Sequence, residues 1–119
     1  MQEWKEGDSA SISKQITEED VRLYSSLSLD TNPVHLDAEY ASQTRFGRQI
    51  AHGLYVAGLI SAVIGTKLPG PGAIYANQTL KFLRPVYLGD TVTATATISA
   101  YDRDRGKMTL STVCKNQGG

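Results

Sequence analysis

The sequence is short of cysteine, of net charge and of long apolar runs, and each shortage excludes a class of protein. Its 119 residues include one cysteine, Cys114, so neither an internal disulfide nor a cysteine-rich metal site can form. Twelve basic residues balance twelve acidic ones, whereas nucleic-acid-binding proteins usually carry a basic excess. The most apolar stretch, Leu54 to Gly65, is shorter than the ~20 residues of a membrane-spanning helix. With no apolar signal segment at the N-terminus, these features predict a soluble, cytoplasmic protein that binds neither nucleic acid nor membrane.

The length and the first third of the chain predict one domain that begins with a strand and a helix. A chain of 119 residues suffices for one hydrophobic core but not for two, so we expect a single domain over residues 1–119. The segment up to Ser13 predicts a short edge strand. Thr17 is a favourable N-cap, which predicts a helix from about Glu18 to Ser28. A second, short helix is predicted over Ala38 to Thr44.

The rest of the chain predicts a buried helix against an antiparallel sheet. The stretch from Gly53 to Thr66 is apolar almost all round, and a helix without a polar face is buried on every side. A strand-like run follows from Ala73 to Pro85. Residues Val92 to Ala100 alternate between apolar and polar, which is typical of a half-buried strand, and a hairpin loop is predicted over Asp102 to Gly106. This order predicts an α+β fold in which the sheet wraps the helix.

The segment from Asp30 to His35, Asp-Thr-Asn-Pro-Val-His, is the strongest candidate for catalysis. A carboxylate and an imidazole are the side chains best suited to proton transfer near neutral pH. Proline disfavours a helical conformation at Asn32, so we predict a rigid loop on which Asp30 and His35 converge. Taken alone, the motif is also typical of a structural turn. Asp37 and His52 could be added as metal ligands, but the spacing matches no familiar metal motif, and we expect no metal.

This segment and the features around it resemble the signature of the MaoC-like, R-specific enoyl-CoA hydratases. The matching features follow one another in the family's order: Tyr24 to His35 with Ala41, Ile50 to Gly53, Ser61, Leu68 to Gly70, Phe82 to Val86, and Gly89-Asp90. The resemblance covers nearly the whole chain. It implies the hot-dog fold, in which a curved antiparallel sheet wraps a long central helix, and a homodimer in which two such sheets join.

Two features depart from that family pattern. In the family pattern a glycine usually precedes the catalytic aspartate, and in this chain Leu29 has that place. We expect this difference to affect the reaction rate or the length of acyl chain that the pocket accepts. Relatives usually continue beyond Gln117-Gly118-Gly119 into one more strand. The sheet is therefore expected to lack an edge strand, or the sequence to be a truncated form.

The resemblance also implies roles for individual residues in the hydration of a trans-2-enoyl thioester. Asp30 and His35 would hold one water, which supplies OH and H to one face of the double bond. The backbone N–H of Gly53, at the start of a helix, would donate to the thioester oxygen as negative charge develops there. The remaining residues expected to bind substrate or shape its pocket are Leu29, Asn32, His52, Val56, Ile60 and Ser61. His52 also fits a helix-entry residue with a local hydrogen bond, and Ser61 a core serine.

These expectations together describe an (R)-specific 2-enoyl-CoA hydratase, a hydro-lyase that needs no cofactor. It would add water reversibly and syn to trans-2-enoyl-CoA to give (R)-3-hydroxyacyl-CoA. Three alternatives stay open: a dehydratase for acyl-carrier-protein thioesters, a hot-dog thioesterase, and a non-catalytic acyl-CoA-binding module. The length of the acyl chain is not predicted, because pocket depth depends on side-chain directions that the sequence does not give.

Overall fold

The computed structural model describes residues 3–119. The predicted domain, 1–119, also includes residues 1 and 2, which lie outside the described residues. Along the described chain the elements are β1 (Ser9–Gln15), α1 (Glu18–Ser28), α2 (Pro33–Leu36), α3 (Ala38–Ser42), α4 (Gly53–Thr66), β2 (Thr91–Asp102) and β3 (Lys107–Lys115). None of these helices combines the length and apolarity that crossing a bilayer requires.

The three strands form one antiparallel sheet in the order β1-β2-β3. Strand β2 is central, and its alternating side chains Val92, Ala94, Ala96 and Ile98 are buried. The predicted period of two, which included Ala100, is confirmed as far as Ile98, because Ala100 is exposed. The register shifts between Ile98 and Ala100 where β2 pairs with β3, and a shift of this kind increases strand twist and bends a sheet. The predicted edge strand and the hairpin loop over Asp102 to Gly106 are confirmed.

Helix α1 begins and ends where the sequence predicts. The Thr17 hydroxyl accepts a hydrogen bond from the Asp20 N–H, and the Asp20 carboxylate accepts one from the Thr17 N–H, so two N–H groups at the helix start are satisfied together. Helix α3 ends at Ser42, two residues before the predicted Thr44.

The prediction that the apolar helix is buried on every side is wrong for the described chain. One face of α4, including Val56, Leu59, Ile60 and Val63, is buried in the core with β2. The opposite stripe is exposed and consists of Leu54, Gly58, Ser61 and Gly65. The three-stranded sheet packs on the buried face of the helix and leaves this stripe uncovered within the described chain.

The predicted strand from Ala73 to Pro85 is also not formed within residues 3–119. The segment has no regular secondary structure and pairs with no strand. Its large apolar side chains Ile74, Phe82 and Leu83 are exposed, Leu83 by 77%. Apolar patterning alone does not make a strand, because the backbone N–H and C=O groups need a neighbouring strand as partner.

The turn before β2 is held by Asp90, whose buried carboxylate makes two hydrogen bonds. It accepts from the Gln117 side-chain amide and from the Tyr87 N–H, each at 3.0 Å. Burial by itself raises the pKa of this carboxyl, but the hydrogen bonds and the nearby Arg48 outweigh it and hold the pKa below its ordinary value. The ionised form is therefore the one that the fold stabilises.

We expect Asp90→Ala to lower the free energy of unfolding at pH 7 by about 1–3 kcal/mol, because two donors lose their partner. A carboxyl with a lowered pKa in the folded state stabilises the fold above its unfolded pKa of about 3.9, and this contribution is lost as the pH falls through the folded pKa. Urea unfolding at pH 7 and at acidic pH measures both effects. Equal stability of the two proteins at pH 7, or a difference that grows on acidification, would contradict this assignment.

Candidate active site

The segment that carries the candidate catalytic pair contains a helical turn and is not a loop throughout. Asn32 is the N-cap of α2, its side-chain oxygen accepts from the Val34 N–H at 3.2 Å, and Pro33 is the first helical residue. Proline suits that position because the N–H it lacks would have no partner there and its φ is already helical. The prediction that Asn32 is non-helical is right, but the helix begins one residue later. Asn32 braces this segment through that hydrogen bond, and its role toward substrate stays a prediction.

Asp30 follows directly on α1 after a left-handed residue. Leu29 has φ 68°, and its N–H donates to the Ser25 carbonyl at 2.9 Å. A left-handed conformation costs a non-glycine residue about 1 kcal/mol, which gives a physical reason for glycine at this position in the family signature. The Leu29 side chain is 83% exposed. The Asp30 carboxylate is also exposed and accepts from the Asn32 N–H at 3.2 Å.

His35 is buried in α2, and one hydrogen bond defines its tautomer. Its Nδ1 lies 2.7 Å from the Ile50 carbonyl oxygen. A carbonyl oxygen only accepts, so Nδ1 carries the proton, and Nε2 of the neutral ring is left as an acceptor. The Gln49 side-chain amide holds the His35 carbonyl at 2.7 Å, which fixes the backbone of the same residue.

The structure brings Asp30 and His35 together. A carboxylate oxygen of Asp30 and ring nitrogens of His35 and His52 all lie within 4.8 Å of one another. One water at ordinary hydrogen-bond distances, about 2.8 Å from each group, can bridge a carboxylate and an imidazole at this separation. The arrangement suits the transfer of a proton between a bound water and a substrate.

The same three residues do not have the geometry of a metal site. The His35 and His52 rings are stacked, with centroids 3.9 Å apart and planes inclined by 29°. The nitrogen lone pairs lie in the ring planes, so those of stacked rings run side by side and do not converge on an ion about 2.1 Å from each nitrogen. One nitrogen of each ring also contacts a carbonyl oxygen. The geometry favours a site that works without a metal.

His52 lies behind the pair, at the entry to α4, and is 2% exposed. Its Nε2 is 3.0 Å from the Ser25 hydroxyl and 3.1 Å from the Asp30 carbonyl oxygen. The Tyr24 ring also packs against the His52 ring, with centroids 4.7 Å apart. These contacts fit the interpretation of His52 as a helix-entry residue with local hydrogen bonds, and its role in binding substrate stays a prediction.

Gly53 is the first residue of α4, so its N–H is among the helix donors without an intrahelical partner. A Cβ at this position would lie 2.7 Å from the Phe82 ring. Only glycine therefore permits the contact that the structure has here. The role of the Gly53 N–H toward a thioester oxygen stays a prediction.

The other candidates lie on different faces of α4. Val56 and Ile60 are buried in the core, and Ser61 lies on the exposed stripe. Their part in an acyl pocket stays a prediction. Sequence reasoning missed Ser25, which the structure buries together with Val21 on one face of α1. The four-residue spacing from Val21 was the available signal.

We expect the His52 ring to remain neutral at a pH where an ordinary histidine is half protonated. Burial lowers the pKa of His52 below its ordinary value, and the neighbouring His35 adds to this effect, against the Asp30 carbonyl, which favours the protonated form. The unfolded chain then binds the extra proton first, so this residue makes the fold less stable as the pH falls below about 6.5. The chain has two histidines, and an NMR titration with His52→Gln assigns their signals. A His52 midpoint at or above 6.5 would contradict this expectation.

Comparison with known proteins agrees with this geometry. The family model of the MaoC-like domain matches residues 2–117. The (R)-specific enoyl-CoA hydratase of Rhodospirillum rubrum is 54% identical over 114 residues, which are 96% of this chain and 79% of that protein.

Two solved structures are also close. The (R)-hydratase from A. caviae involved in PHA biosynthesis superposes with a TM-score of 0.96 at 41% identity, over 100% of this chain and 90% of that one. R-hydratase PhaJ1 from Pseudomonas aeruginosa has a TM-score of 0.93 at 43% identity, over 98% and 74%. These likenesses confirm the predicted hot-dog fold. The family model matches almost the whole of this chain, and Asp30 and His35 lie close together near the start of the central helix. The chain therefore belongs to the MaoC-like domain family.

Proposed function

We propose that this chain is an (R)-specific 2-enoyl-CoA hydratase, that is, a hydro-lyase. The observation that carries the proposal is the convergence of Asp30 and His35 at a separation that one water can bridge. The name and the 54% identity of the Rhodospirillum rubrum relative support the choice of substrate. The match of the family model to residues 2–117 supports a single MaoC-like domain over residues 1–119.

The proposed mechanism starts from a water between the two side chains. His35 donates its Nδ1 proton to Ile50, so its Nε2 accepts one O–H of the water while the Asp30 carboxylate accepts the other. The water oxygen is then free to attack C3 of the enoyl thioester. Asp30 takes a proton as the C3–O bond forms, and the π electrons move toward the thioester oxygen. The pair returns a proton to C2 on the same face, and both side chains end as they began.

The thioester oxygen needs a donor as it becomes negative. The Gly53 N–H lies at the positive end of the α4 dipole and is the proposed donor. Loss of such a donor typically lowers kcat by about 100- to 1000-fold. The exposed stripe of α4, which begins at Leu54 and includes Ser61, leads away from this point and is the proposed path of the acyl chain.

We expect Asp30→Asn and His35→Ala to lower the rate of crotonyl-CoA hydration by roughly 100- to 10,000-fold, the usual contribution of a positioned acid or base. The loss of absorbance at the enoyl band follows the reaction, and circular dichroism checks the fold. Glu39→Gln, which alters an exposed carboxylate on α3, is the matched control and should keep full activity. Full turnover by either site variant would defeat the proposal.

The same assay separates the alternatives. Hydration of a carrier-protein thioester at a higher kcat/KM than crotonyl-, hexenoyl- or octenoyl-CoA would identify an acyl-carrier-protein dehydratase. Release of free thiol from acyl-CoA would identify a thioesterase. Tight binding of acyl-CoA without an absorbance change would identify a non-catalytic module. Chiral analysis should find the R product.

We also propose a homodimer and a cytoplasmic location. The support for the dimer is the segment from Ala73 to Arg84, whose backbone joins no strand within the described chain and whose side chains Phe82 and Leu83 are large, apolar and exposed. A second copy of the same segment offers complementary backbone groups in an isologous contact.

The single free Cys114 fits a reducing compartment. A fluorescent fusion tests the location.

Light scattering should give twice the mass of one chain, and Leu83→Asp should halve it, because a buried charge without a partner is costly. Leu27→Asp is the matched control, since Leu27 on α1 is as exposed, 84%, but lies outside the segment. A monomeric wild type, or a Leu83→Asp protein that remains a dimer, would refute this pairing.

A further inference from the structure

Two buried polar residues, Ser25 and His52, contact the proposed catalytic pair and take no part in the proposed mechanism. Both are almost completely buried. The His52 Nε2 atom lies within hydrogen-bond distance of both the Ser25 hydroxyl and the Asp30 carbonyl oxygen. The His52 ring also stacks on His35 at 3.9 Å. One imidazole therefore contacts both members of the catalytic pair, through the backbone of one and the ring of the other.

The tautomer of His52 follows from its partners. The Asp30 carbonyl oxygen can only accept, so Nε2 carries a proton. The other nitrogen, Nδ1, is buried and has no hydrogen-bond partner among residues 3–119, and a bare lone pair there costs less free energy than a buried charged N–H would. The neutral ring with its proton on Nε2 satisfies both conditions. The Nε2–H then points between the Ser25 hydroxyl and the Asp30 carbonyl.

The short segment from Ile50 to His52 consequently holds both catalytic residues. The Ile50 carbonyl accepts the Nδ1 proton of His35, and His52, two residues later, donates to Asp30. The segment is itself anchored to the chain before β2, because the Ala51 N–H donates to the Val86 carbonyl at 2.7 Å. The separation between the Asp30 carboxylate and the His35 ring is thus fixed from one side.

We propose that Ser25 and His52 are positioning residues for the hydration reaction. His52 holds the Asp30 backbone and supports the flat face of the His35 ring, and Ser25 orients the His52 ring from α1. Neither side chain needs to touch the substrate. The proposal rests on the proposed function, and it adds a second layer of residues that keeps the two reacting groups at the distance of one shared water.

The test compares four variants with the wild type. His52→Phe keeps a ring of similar shape but removes the donor, and should lower kcat by roughly 10- to 100-fold, the cost of misplacing a reacting group by about 1 Å. KM should change by less than about twofold, because substrate contacts stay. His52→Gln keeps an N–H donor and should recover part of kcat. Ser25→Ala should have an intermediate effect. Ser26→Ala, the same change at the exposed neighbour, is the matched control and should be silent.

Carbonyl NMR provides a readout that does not depend on activity. The ¹³C shift of the Asp30 carbonyl and the ring signals of His35 should change in His52→Phe and Ser25→Ala but not in Ser26→Ala. If the wild type hydrates no enoyl thioester, the proposed function fails, and these signals still decide the positioning role. If His52→Phe does not fold, Ser25→Ala decides it.

Two results would overturn the proposal. One is an unchanged kcat in both Ser25→Ala and His52→Phe, or NMR signals of Asp30 and His35 that are the same in both variants as in the wild type. The other is a fall in kcat that follows the loss of thermal stability and that His52→Gln does not reverse, since a purely structural role would give that outcome.

Discussion

The hydrogen bond from His35 Nδ1 to the Ile50 carbonyl is the interaction on which the rest of the site depends. It places the proton on Nδ1 of the neutral ring and leaves Nε2 as an acceptor. Without this hydrogen bond, the His35 ring could present either a donor or an acceptor to a bound water. The orientation of that water between His35 and Asp30 would then not be defined. The bond also joins α2 to the chain that enters α4, so the catalytic turn and the proposed oxyanion donor at Gly53 belong to one rigid unit.

The packing of α4 on the sheet and the chain before β2 hold this unit in place. The apolar face of α4 packs on β2, and the turn at Asp90 fixes the chain before β2, which in turn pairs with residues 49–51 through Val86 to Leu88. The left-handed conformation of Leu29 and the burial of the His52 imidazole are each unfavourable in free energy. This packing compensates for them, and local propensity does not. The buried contacts of α4 are concentrated on one side of the helix, and the other side is exposed within the described chain.

Much of this could be predicted from the sequence, because the signals are local. The cap at Thr17, the alternation along β2, and the proposed catalytic pair of Asp30 and His35 each follow from residue type and spacing. What could not be predicted depends on partners distant in the chain. The segment from Ala73 to Pro85 has the composition of a strand but no pairing strand among the described residues. Ser25 and His52 are 27 residues apart, and only the three-dimensional structure shows that they meet beneath Asp30.

The central claim is that one water, held on one face of the double bond by Asp30 and His35, supplies both the hydroxyl and the proton. Hydration of crotonyl-CoA in ²H₂O tests it directly, because the relative configuration of the deuterium at C2 and the hydroxyl at C3 can be read from ¹H coupling constants. Delivery from one face predicts a product in which both were added syn, with the R configuration at C3. Anti addition would contradict the account, since a pair of groups on one side of the substrate cannot reach the opposite face.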